Sequence, residues 1–176
     1  MPNYRRANIS GASYFFTVNL LERESSLLID EIILLRESVK KVKDKYPFEI
    51  NAWVVLPDHM HTVWTLPPGD CDFPVRWRLI KTHFARALPC NEKINDNRLK
   101  RSERGIWQRR YWEHLIRNES DYKNHIEYCY INPVKHGHVS SVKEWPYSSF
   151  HRDVKKGIFP ENWAGEDTIF EGGFGE

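Results

Sequence analysis

The sequence predicts an α+β domain in which helices cover one face of an antiparallel β-sheet. Segments with strand-like and helix-like spacing of apolar residues follow one another in the order βαββαβ, and one further helix comes after them. The chain has 176 residues, of which 40% are hydrophobic and 14% aromatic, enough to fill one core.

The first half of the chain predicts a strand, a helix and a hairpin. Residues 13–21 are β-branched and aromatic, which is typical of a strand. Residues 27–45 carry apolar side chains at helical spacing and end in a group of lysines. Residues 48–56 and 59–66 again have the composition of strands. Because Pro57-Asp58 between them favours a turn, they should pair as an antiparallel hairpin.

The second half predicts a helix, a strand and a last long helix. Residues 73–88 have helical spacing, with Pro74 in the first turn. Residues 107–117 can supply one more strand. Residues 118–131 begin with polar residues that cap helices, and Pro133 should end this helix because a proline disfavours the helical conformation of the residue before it.

Charge is unevenly distributed along the chain, although the formal net charge is only +2. Residues 76–117 hold twelve lysines and arginines against four acidic residues, with aromatic residues between them. This pattern is typical of a face that binds a polyanion, although a solvated basic surface would have the same composition. We expect one compact domain over residues 1–152 and an acidic, irregular tail over residues 153–176.

Membrane and zinc-finger classes are not favoured by the sequence. No apolar run approaches the roughly 20 residues that span a bilayer, and the first residues lack the apolar core of a signal peptide. The cysteines Cys71, Cys90 and Cys129 are widely spaced and form no zinc-like pair. Free thiols in a reducing cytoplasm are therefore expected.

Two histidines one residue apart, His59 and His61, stand in the second strand of the hairpin. Because side chains alternate along a strand, both should point to the same face, about 7 Å apart, just after a turn that solvent can reach. Two imidazoles at this spacing can converge on one metal ion. Two ordinary hydrogen-bonded histidines near a sheet edge would give the same pattern.

The last long helix carries a second group of polar residues. Tyr128 and Asn132 are four residues apart, so they share one helix face with His125, one 5.4 Å turn from each other. The Asn132 amide oxygen could be a third ligand, with Tyr128 beside the ion. Tyr128 could equally pack on the sheet while Asn132 caps the helix. Tyr130 is rotated by about 200° and cannot share the role of Tyr128.

Such a site would suit phosphoryl transfer. A divalent ion held by two imidazole nitrogens and one amide oxygen keeps open coordination positions and can polarise a phosphoryl oxygen. A tyrosine hydroxyl, with its pKa of about 10, is a weak nucleophile without such help. The product would be a phosphotyrosine linkage that keeps the energy of the phosphodiester, so cutting and rejoining would be one reversible reaction.

The histidine and tyrosine motifs, together with several further segments of the chain in their order, resemble those of the REP-associated tyrosine transposases of bacteria. These are single-tyrosine HUH nucleases related to the single-strand insertion-sequence transposases. His59-Met60-His61 fits the HUH motif. The resemblance spans residues 1–152 and includes the segments "LIKTHFAR", "IWQRRYWEHLIR", "HIEYCYINPVKHG" and "WPYSSFHR". Many relatives have His and Tyr where this chain has Cys129 and Tyr130, neither of which is an expected catalytic position.

The resemblance implies a fold and a set of site residues. The fold is a ferredoxin-like antiparallel sheet with a C-terminal helix that carries the tyrosine. His59, His61 and Asn132 are implied as ligands of Mg²⁺ or Mn²⁺, and Tyr128 as the nucleophile.

The implied substrate is single-stranded DNA folded into hairpins of repetitive extragenic palindromes, cut through a covalent 5′-phosphotyrosine. Basic side chains and one aromatic platform are expected on the DNA: Arg5, Arg6, Lys81, Arg86, Arg109 and Arg110, with Trp107 for stacking. Each of them could instead be a surface charge or a core aromatic residue. We expect a cytoplasmic protein that acts as a monomer, with a dimer as the alternative, and that is associated with the nucleoid when it binds DNA.

Two other functions remain open at this point. A hairpin-binding module that no longer cuts would leave a labelled hairpin intact. A zinc hydrolase built on His59 and His61 with an acid such as Glu113 or Asp58 would leave no covalent protein–DNA adduct, because its product would form through water.

Overall fold

Four strands form one antiparallel sheet, and the two histidines lie at one end of a central strand. The computed structural model describes residues 8–90, 96, 100 and 103–163. The elements are β1 (Ser13–Asn19), α1 (Leu27–Asp30), α2 (Ile32–Lys45), β2 (Glu49–Val55), β3 (His59–Thr65), α3 (Phe73–Ala87), β4 (Trp112–Leu115), α4 (Glu119–Lys135), a 3₁₀ turn (Val142–Glu144) and α5 (Phe150–Lys155). The strand order is β2-β3-β1-β4, with every pair antiparallel. The predicted α+β class with an antiparallel sheet is confirmed.

The two faces of the sheet bury two separate cores. Because side chains alternate along β1, Phe16 joins the core beneath α2 and α3, whereas its neighbour Phe15 joins a second core beneath α4. In the first core, the rings of Trp64 on β3 and Trp77 on α3 stack with their centroids 4.2 Å apart. The helix α4, which carries Tyr128, therefore covers the face of the sheet opposite to α2 and α3. The expectation that the helices cover one face of the sheet holds for α2 and α3 and is wrong for α4.

The helix α4 begins where the sequence predicts but ends later. Asn118 caps it by accepting a hydrogen bond from the backbone N–H of Asp121 at 2.9 Å. The prediction that Pro133 ends the helix is wrong, because α4 continues through this proline to Lys135. A proline removes one backbone donor and costs stability, but packing of the helix against the sheet offsets that loss.

The extra turn of α4 matters for the site. Beyond Pro133, the backbone N–H of His136 still bonds the carbonyl of Asn132 at 3.0 Å. Tyr128, Asn132 and Lys135 consequently occupy successive turns of a single helix, at spacings that place them on one face.

The strand predicted over residues 107–117 is shorter than expected. β4 covers only Trp112–Leu115, while Trp107 makes an isolated bridge with Leu20. Arg109 and Arg110 lie between the two stretches and are exposed. Two long charged side chains are more stable in water than on a buried strand, so the chain leaves the sheet there.

The segment after residue 137 is more regular than the sequence indicates. It contains the 3₁₀ turn and α5, and the boundary expected after residue 152 falls within α5. Asp153 is buried, and Trp163 packs against the core beneath α4. Residues 164–176 of the expected acidic tail lie outside the described part of the chain.

Cys71, Cys90 and Cys129 are free thiols. Within the described residues, no helix combines the length and the apolar character needed to cross a bilayer.

Candidate active site

His59 and His61 lie at the start of β3 and face α4, as the alternation of the strand predicts. Both are buried, and their ring centroids are 5.0 Å apart at an interplanar angle of 83°. His61 stacks on Phe15 at 5.7 Å within the core beneath α4. The two imidazoles therefore converge in a shielded space between the sheet and this helix.

Each imidazole is held at its Nδ1 atom. Nδ1 of His59 donates to the carboxylate of Asp58 at 2.7 Å, and Nδ1 of His61 lies 2.8 Å from the hydroxyl of Thr17. When Nδ1 carries the proton, Nε2 is the nitrogen with the free lone pair. Nε2 of His59 is buried and has no hydrogen-bond partner among the described residues. A buried, pre-oriented nitrogen of this kind suits a metal ligand, since orphaned polar atoms are otherwise rare.

Asp58 is an ionised carboxylate that orients His59. Burial opposes its ionisation, but the hydrogen bond from His59, followed by the hydrogen bond and charge of Arg23, lowers the pKa of Asp58 to about 2. Arg23 contacts the second oxygen of this carboxylate at 2.5 Å. Because Asp58 lies on the Nδ1 side of His59, it supports the imidazole from behind instead of facing the same space as Nε2.

Tyr128 approaches the histidines from α4. Its ring meets that of His61 edge-on, with centroids 5.2 Å apart, and also contacts Phe15 at 5.9 Å. One helical turn past Asn132, the ring of His136 lies 5.3 Å from that of His59. Asn132 is buried between these two contacts, on the same face of α4. The structure thus brings Tyr128 to the two predicted histidine ligands, and the helical spacing places Asn132 on the face of α4 that meets them.

Lys135 is a site residue that the sequence reasoning missed. Its Nζ atom donates a hydrogen bond to the hydroxyl of Tyr128 at 3.2 Å and lies 4.9 Å from the centre of the Tyr128 ring. The signal in the sequence is the spacing of seven residues, which equals two helical turns. That signal could be used only if α4 was known to continue past Pro133.

Tyr130 points away from the histidines, as the helical rotation predicts. Its hydroxyl donates to the carboxylate of Asp153 and lies 3.1 Å from the hydroxyl of Ser149. Burial, followed by the contact with Asp153, raises the pKa of Tyr130. Burial likewise raises the pKa of the Cys129 thiol. Neither side chain is placed to act as a nucleophile beside His59 and His61.

A second polar cluster joins β4 to the first turns of α4. Nε2 of His114 donates to the Asp121 carboxylate at 2.9 Å, and Nδ1 of His125 donates to the Asp121 carbonyl at 2.7 Å. The ligand atoms of this cluster lie within 4.8 Å of one another. The two imidazoles, however, stack with an interplanar angle of 16°. A metal binds in the plane of an imidazole, and nearly parallel planes do not meet at one ion. The cluster therefore acts as a structural network.

Glu113 lies on the wrong face of the sheet for the hydrolase alternative. It pairs in register with Phe16, which belongs to the core beneath α2 and α3. Side chains directly opposite each other on paired strands share a face. Glu113 is therefore separated by the sheet from His59 and His61.

The basic residues expected on DNA have different environments. Arg86, Arg109 and Arg110 are exposed, and Arg109 pairs with Glu103 at 2.9 Å. Lys81 is partly buried and donates to the carbonyl of Gln108 at 3.0 Å. Arg5 and Arg6 lie outside the described residues.

The exposed arginine pair lies near the histidine end of the sheet. The backbone N–H of Gln108 bonds the carbonyl of Asn19 at 3.0 Å, and Asn19 is the register partner of His59. Arg109 and Arg110 follow directly after this contact.

Trp107 is not placed as a stacking platform. It is only 8% exposed and packs against Phe84 with ring centroids 5.3 Å apart, while Nζ of Lys81 lies 5.8 Å from the ring centre. Its faces meet protein, so this expectation is corrected. Trp112 on β4 is 48% exposed and offers the kind of surface that a base could stack on.

Replacing Trp107 by alanine should therefore lower stability. We expect the free energy of unfolding in urea to fall by about 3–5 kcal/mol, the usual cost of removing a buried aromatic side chain. Arg110→Ala, an exposed neighbour, should change it by no more than about 0.5 kcal/mol. Unchanged stability combined with lost DNA binding would restore the stacking role of Trp107.

The chain is 53% identical over 173 residues to a REP-associated tyrosine transposase of Escherichia coli (strain K12), an alignment that covers 98% of this chain and 97% of that protein. This chain belongs to the REP-associated tyrosine transposases. The resemblance inferred from its motifs is thereby confirmed. No protein-family model matches the chain.

Two further relatives agree with this family. A protein of Haemophilus influenzae (strain ATCC 51907 / DSM 11121 / KW20 / Rd), provisionally described as a REP-associated tyrosine transposase, is 52% identical over 171 residues, which are 96% of this chain and 97% of that protein. A REP-associated tyrosine transposase solved in complex with a REP hairpin has a TM-score of 0.87 and 53% identity to this chain, over 100% of this chain and 98% of that one.

Proposed function

We propose that this protein cuts and rejoins single-stranded DNA at palindromic hairpins through a covalent 5′-phosphotyrosine on Tyr128. The observation that carries the proposal is the meeting of the Tyr128 ring with His61, which stands beside His59 in a shielded space. Family membership supports it, and the solved relative is bound to a REP hairpin. The alternative, a hydrolase that activates water, would need an acid on the same face of the sheet as His59 and His61. Glu113 lies on the opposite face.

The residues present fit a divalent metal ion. His59 and His61 would hold it through their Nε2 atoms, and Asn132 through its amide oxygen. The buried Nε2 of His59 has no hydrogen-bond partner among the residues described, and Asp58 fixes the ring behind it. A set of two neutral nitrogens and one neutral oxygen is compatible with Mn²⁺ or Mg²⁺ and leaves room for a phosphate. When bound, the ion supplies polarisation of the scissile phosphate.

The chain itself supplies the nucleophile and its alignment. In the cleavage step, a bond forms between the Tyr128 oxygen and phosphorus while the bond from phosphorus to the 3′ oxygen breaks. The phenol proton is balanced by the proton that the released 3′ hydroxyl gains. Phe15 and His61 hold the Tyr128 ring by edge-on contacts, which reduces the orientations from which it can attack. Rejoining is the same step in reverse.

Single-stranded DNA would cross the basic surface beside the histidines. Arg109 and Arg110 follow the contact of Gln108 with β1, and Arg86 is exposed at the end of α3. Arginines there neutralise phosphates, and Trp112 offers an exposed ring for an unpaired base. Lys81, Arg5 and Arg6 remain proposed contacts. We further propose that the protein acts as a monomer in the cytoplasm, on nucleoid DNA.

Binding should depend on salt in proportion to the number of phosphates contacted. If four to six basic residues contact a single strand, the slope of log affinity against log salt should be about −3 to −4. Arg109→Ala should weaken hairpin binding and flatten this slope by about 0.7. Fluorescence anisotropy with a labelled hairpin over a salt series measures both quantities. Arg36→Ala, an exposed arginine on α2, should change neither.

A comparison of single-stranded hairpin DNA with fully paired duplex DNA gives the second half of this test. A fully paired duplex of the same sequence should be neither bound tightly nor cut, because unstacking a target nucleotide costs a few kcal/mol. Equal cutting of duplex and hairpin would contradict the proposed substrate, even with Tyr128 as the nucleophile.

A further inference from the structure

We propose that Lys135 is a positioning residue for the nucleophile: it holds the Tyr128 hydroxyl in the attacking orientation and stabilises the negative charge that develops on its oxygen. The inference rests on the proposed function and deepens it, since it adds to that site a charged group outside the ligand set.

The geometry around Tyr128 assigns the orientation of the hydroxyl to Lys135. Tyr128 is 0% exposed, and the rings of His61 and Phe15 fix its plane. Those contacts act on the ring and not on the rotation of the hydroxyl. The hydrogen bond from Lys135 Nζ, at 3.2 Å, restrains that rotation because the ammonium can only donate. The lone pair of the Tyr128 oxygen therefore faces Lys135.

The backbone of α4 also favours a cation at this position. Lys135 is the last residue of the helix, where the carbonyl ends of the helix dipole attract positive charge. The Lys135 side chain as a whole is exposed, although its ammonium reaches the buried hydroxyl. The ammonium thus lies at the boundary between Tyr128 and solvent.

The chemistry of the step needs a cation there. As the bond from Tyr128 to phosphorus forms and the bond from phosphorus to the 3′ oxygen breaks, the phenol loses its proton and the leaving 3′ oxygen gains one. Lys135 stays protonated throughout, so it adds no proton to this balance. Its ammonium has three N–H groups, of which one contacts Tyr128 and the others can meet a phosphate oxygen. One side chain can thereby draw both reacting groups together.

The expected effect is a loss of rate without an equal loss of binding. Removing one preorganised donor from a developing oxyanion costs about 10²–10³-fold in rate in other enzymes. Because the Lys135 side chain is exposed and water can replace part of its effect, we expect Lys135→Met to slow adduct formation by about 10–100-fold.

The test compares three variants in single-turnover cleavage of a labelled hairpin, with hairpin affinity measured separately. Lys135→Met should lose rate and keep affinity close to that of the wild-type protein. Lys135→Arg, which retains the charge and the donors, should recover most of the lost rate. Lys123→Met is the matched control, because it removes the same charge from the same helix about 18 Å away, and it should cleave at the wild-type rate.

The outcomes separate this inference from the proposed function. Cleavage by Lys135→Met at the wild-type rate would overturn the role of Lys135 alone, as would a defect confined to hairpin affinity. Cleavage by Lys135→Arg no faster than by Lys135→Met would also overturn it. Thermal melts of these variants, and of Lys135→Gln as a further replacement, exclude misfolding as the cause. Absence of any adduct from the wild-type protein would overturn the function on which the inference rests.

Discussion

Replacing Tyr128 by phenylalanine should abolish the covalent protein–DNA adduct and leave hairpin binding intact. The ring keeps its contacts with His61 and Phe15, so packing is preserved, but the attacking oxygen is gone. The change removes the hydrogen bond that Lys135 donates to the Tyr128 hydroxyl. Loss of this hydrogen bond should lower the free energy of unfolding by about 0.5–1.5 kcal/mol, the usual net value of one hydrogen bond. A denaturing gel of the labelled hairpin measures the adduct.

Tyr130→Phe is the matched control for this result. Tyr130 lies two residues along the same helix but bonds Asp153 on the other side, so its loss should reduce stability and leave the adduct. An adduct that persists in Tyr128→Phe and disappears in Tyr130→Phe would show that the wrong tyrosine has been assigned.

Replacing His59 or His61 by alanine should abolish cleavage while most hairpin affinity remains. Each change removes a proposed metal ligand, whereas DNA binding depends on phosphate charge and stacking elsewhere. Titration of the protein alone with Mn²⁺, followed by calorimetry, should show weaker binding in both variants. EDTA should have the same effect on cleavage as either replacement.

His83→Ala is the control for the loss of a histidine. His83 lies on α3, which packs on the opposite face of the sheet, so its replacement should leave both cleavage and Mn²⁺ binding unchanged. Undiminished cleavage in EDTA, or by His59→Ala, would remove the metal ion from the mechanism.

The placement of the histidine pair and the tyrosine could be predicted because it depends on local periodicity. Residues two apart on a strand point to the same face of the sheet, so His59 and His61 had to share a face. Residues four apart on a helix likewise lie on one face, and Tyr128 and Asn132 have this spacing. Tyr130 is turned away for the same geometric reason. None of these inferences needs knowledge of what packs on the sheet.

Features that depend on tertiary packing could not be predicted in this way. Composition cannot distinguish a buried tryptophan from an exposed one, so it could not show that Trp107 is buried and Trp112 exposed. Nor can a local rule show that α4 continues past Pro133, because packing against the sheet offsets the cost of the proline. The contact of Lys135 with Tyr128 depends on that extra turn, and it could not be foreseen.

The same limit applies to the faces of the sheet. Alternation shows that Glu113 and His114 point to opposite faces, but only the pairing of β4 with β1 shows which face each takes. That register places His114 beside α4 and Glu113 beneath α2 and α3. Glu113, the acid that the hydrolase alternative would use, is thereby separated from His59 and His61 by the sheet.

The most direct test of the central claim is to identify the protein atom that becomes bonded to DNA. The wild-type protein would be incubated with a single-stranded palindromic hairpin and Mn²⁺, digested with protease, and the nucleotide-bearing peptide sequenced by mass spectrometry. We expect one peptide, with DNA joined through its 5′ phosphate to the oxygen of Tyr128. A cut hairpin with no protein attached, or DNA attached to any other residue, would contradict the proposed mechanism.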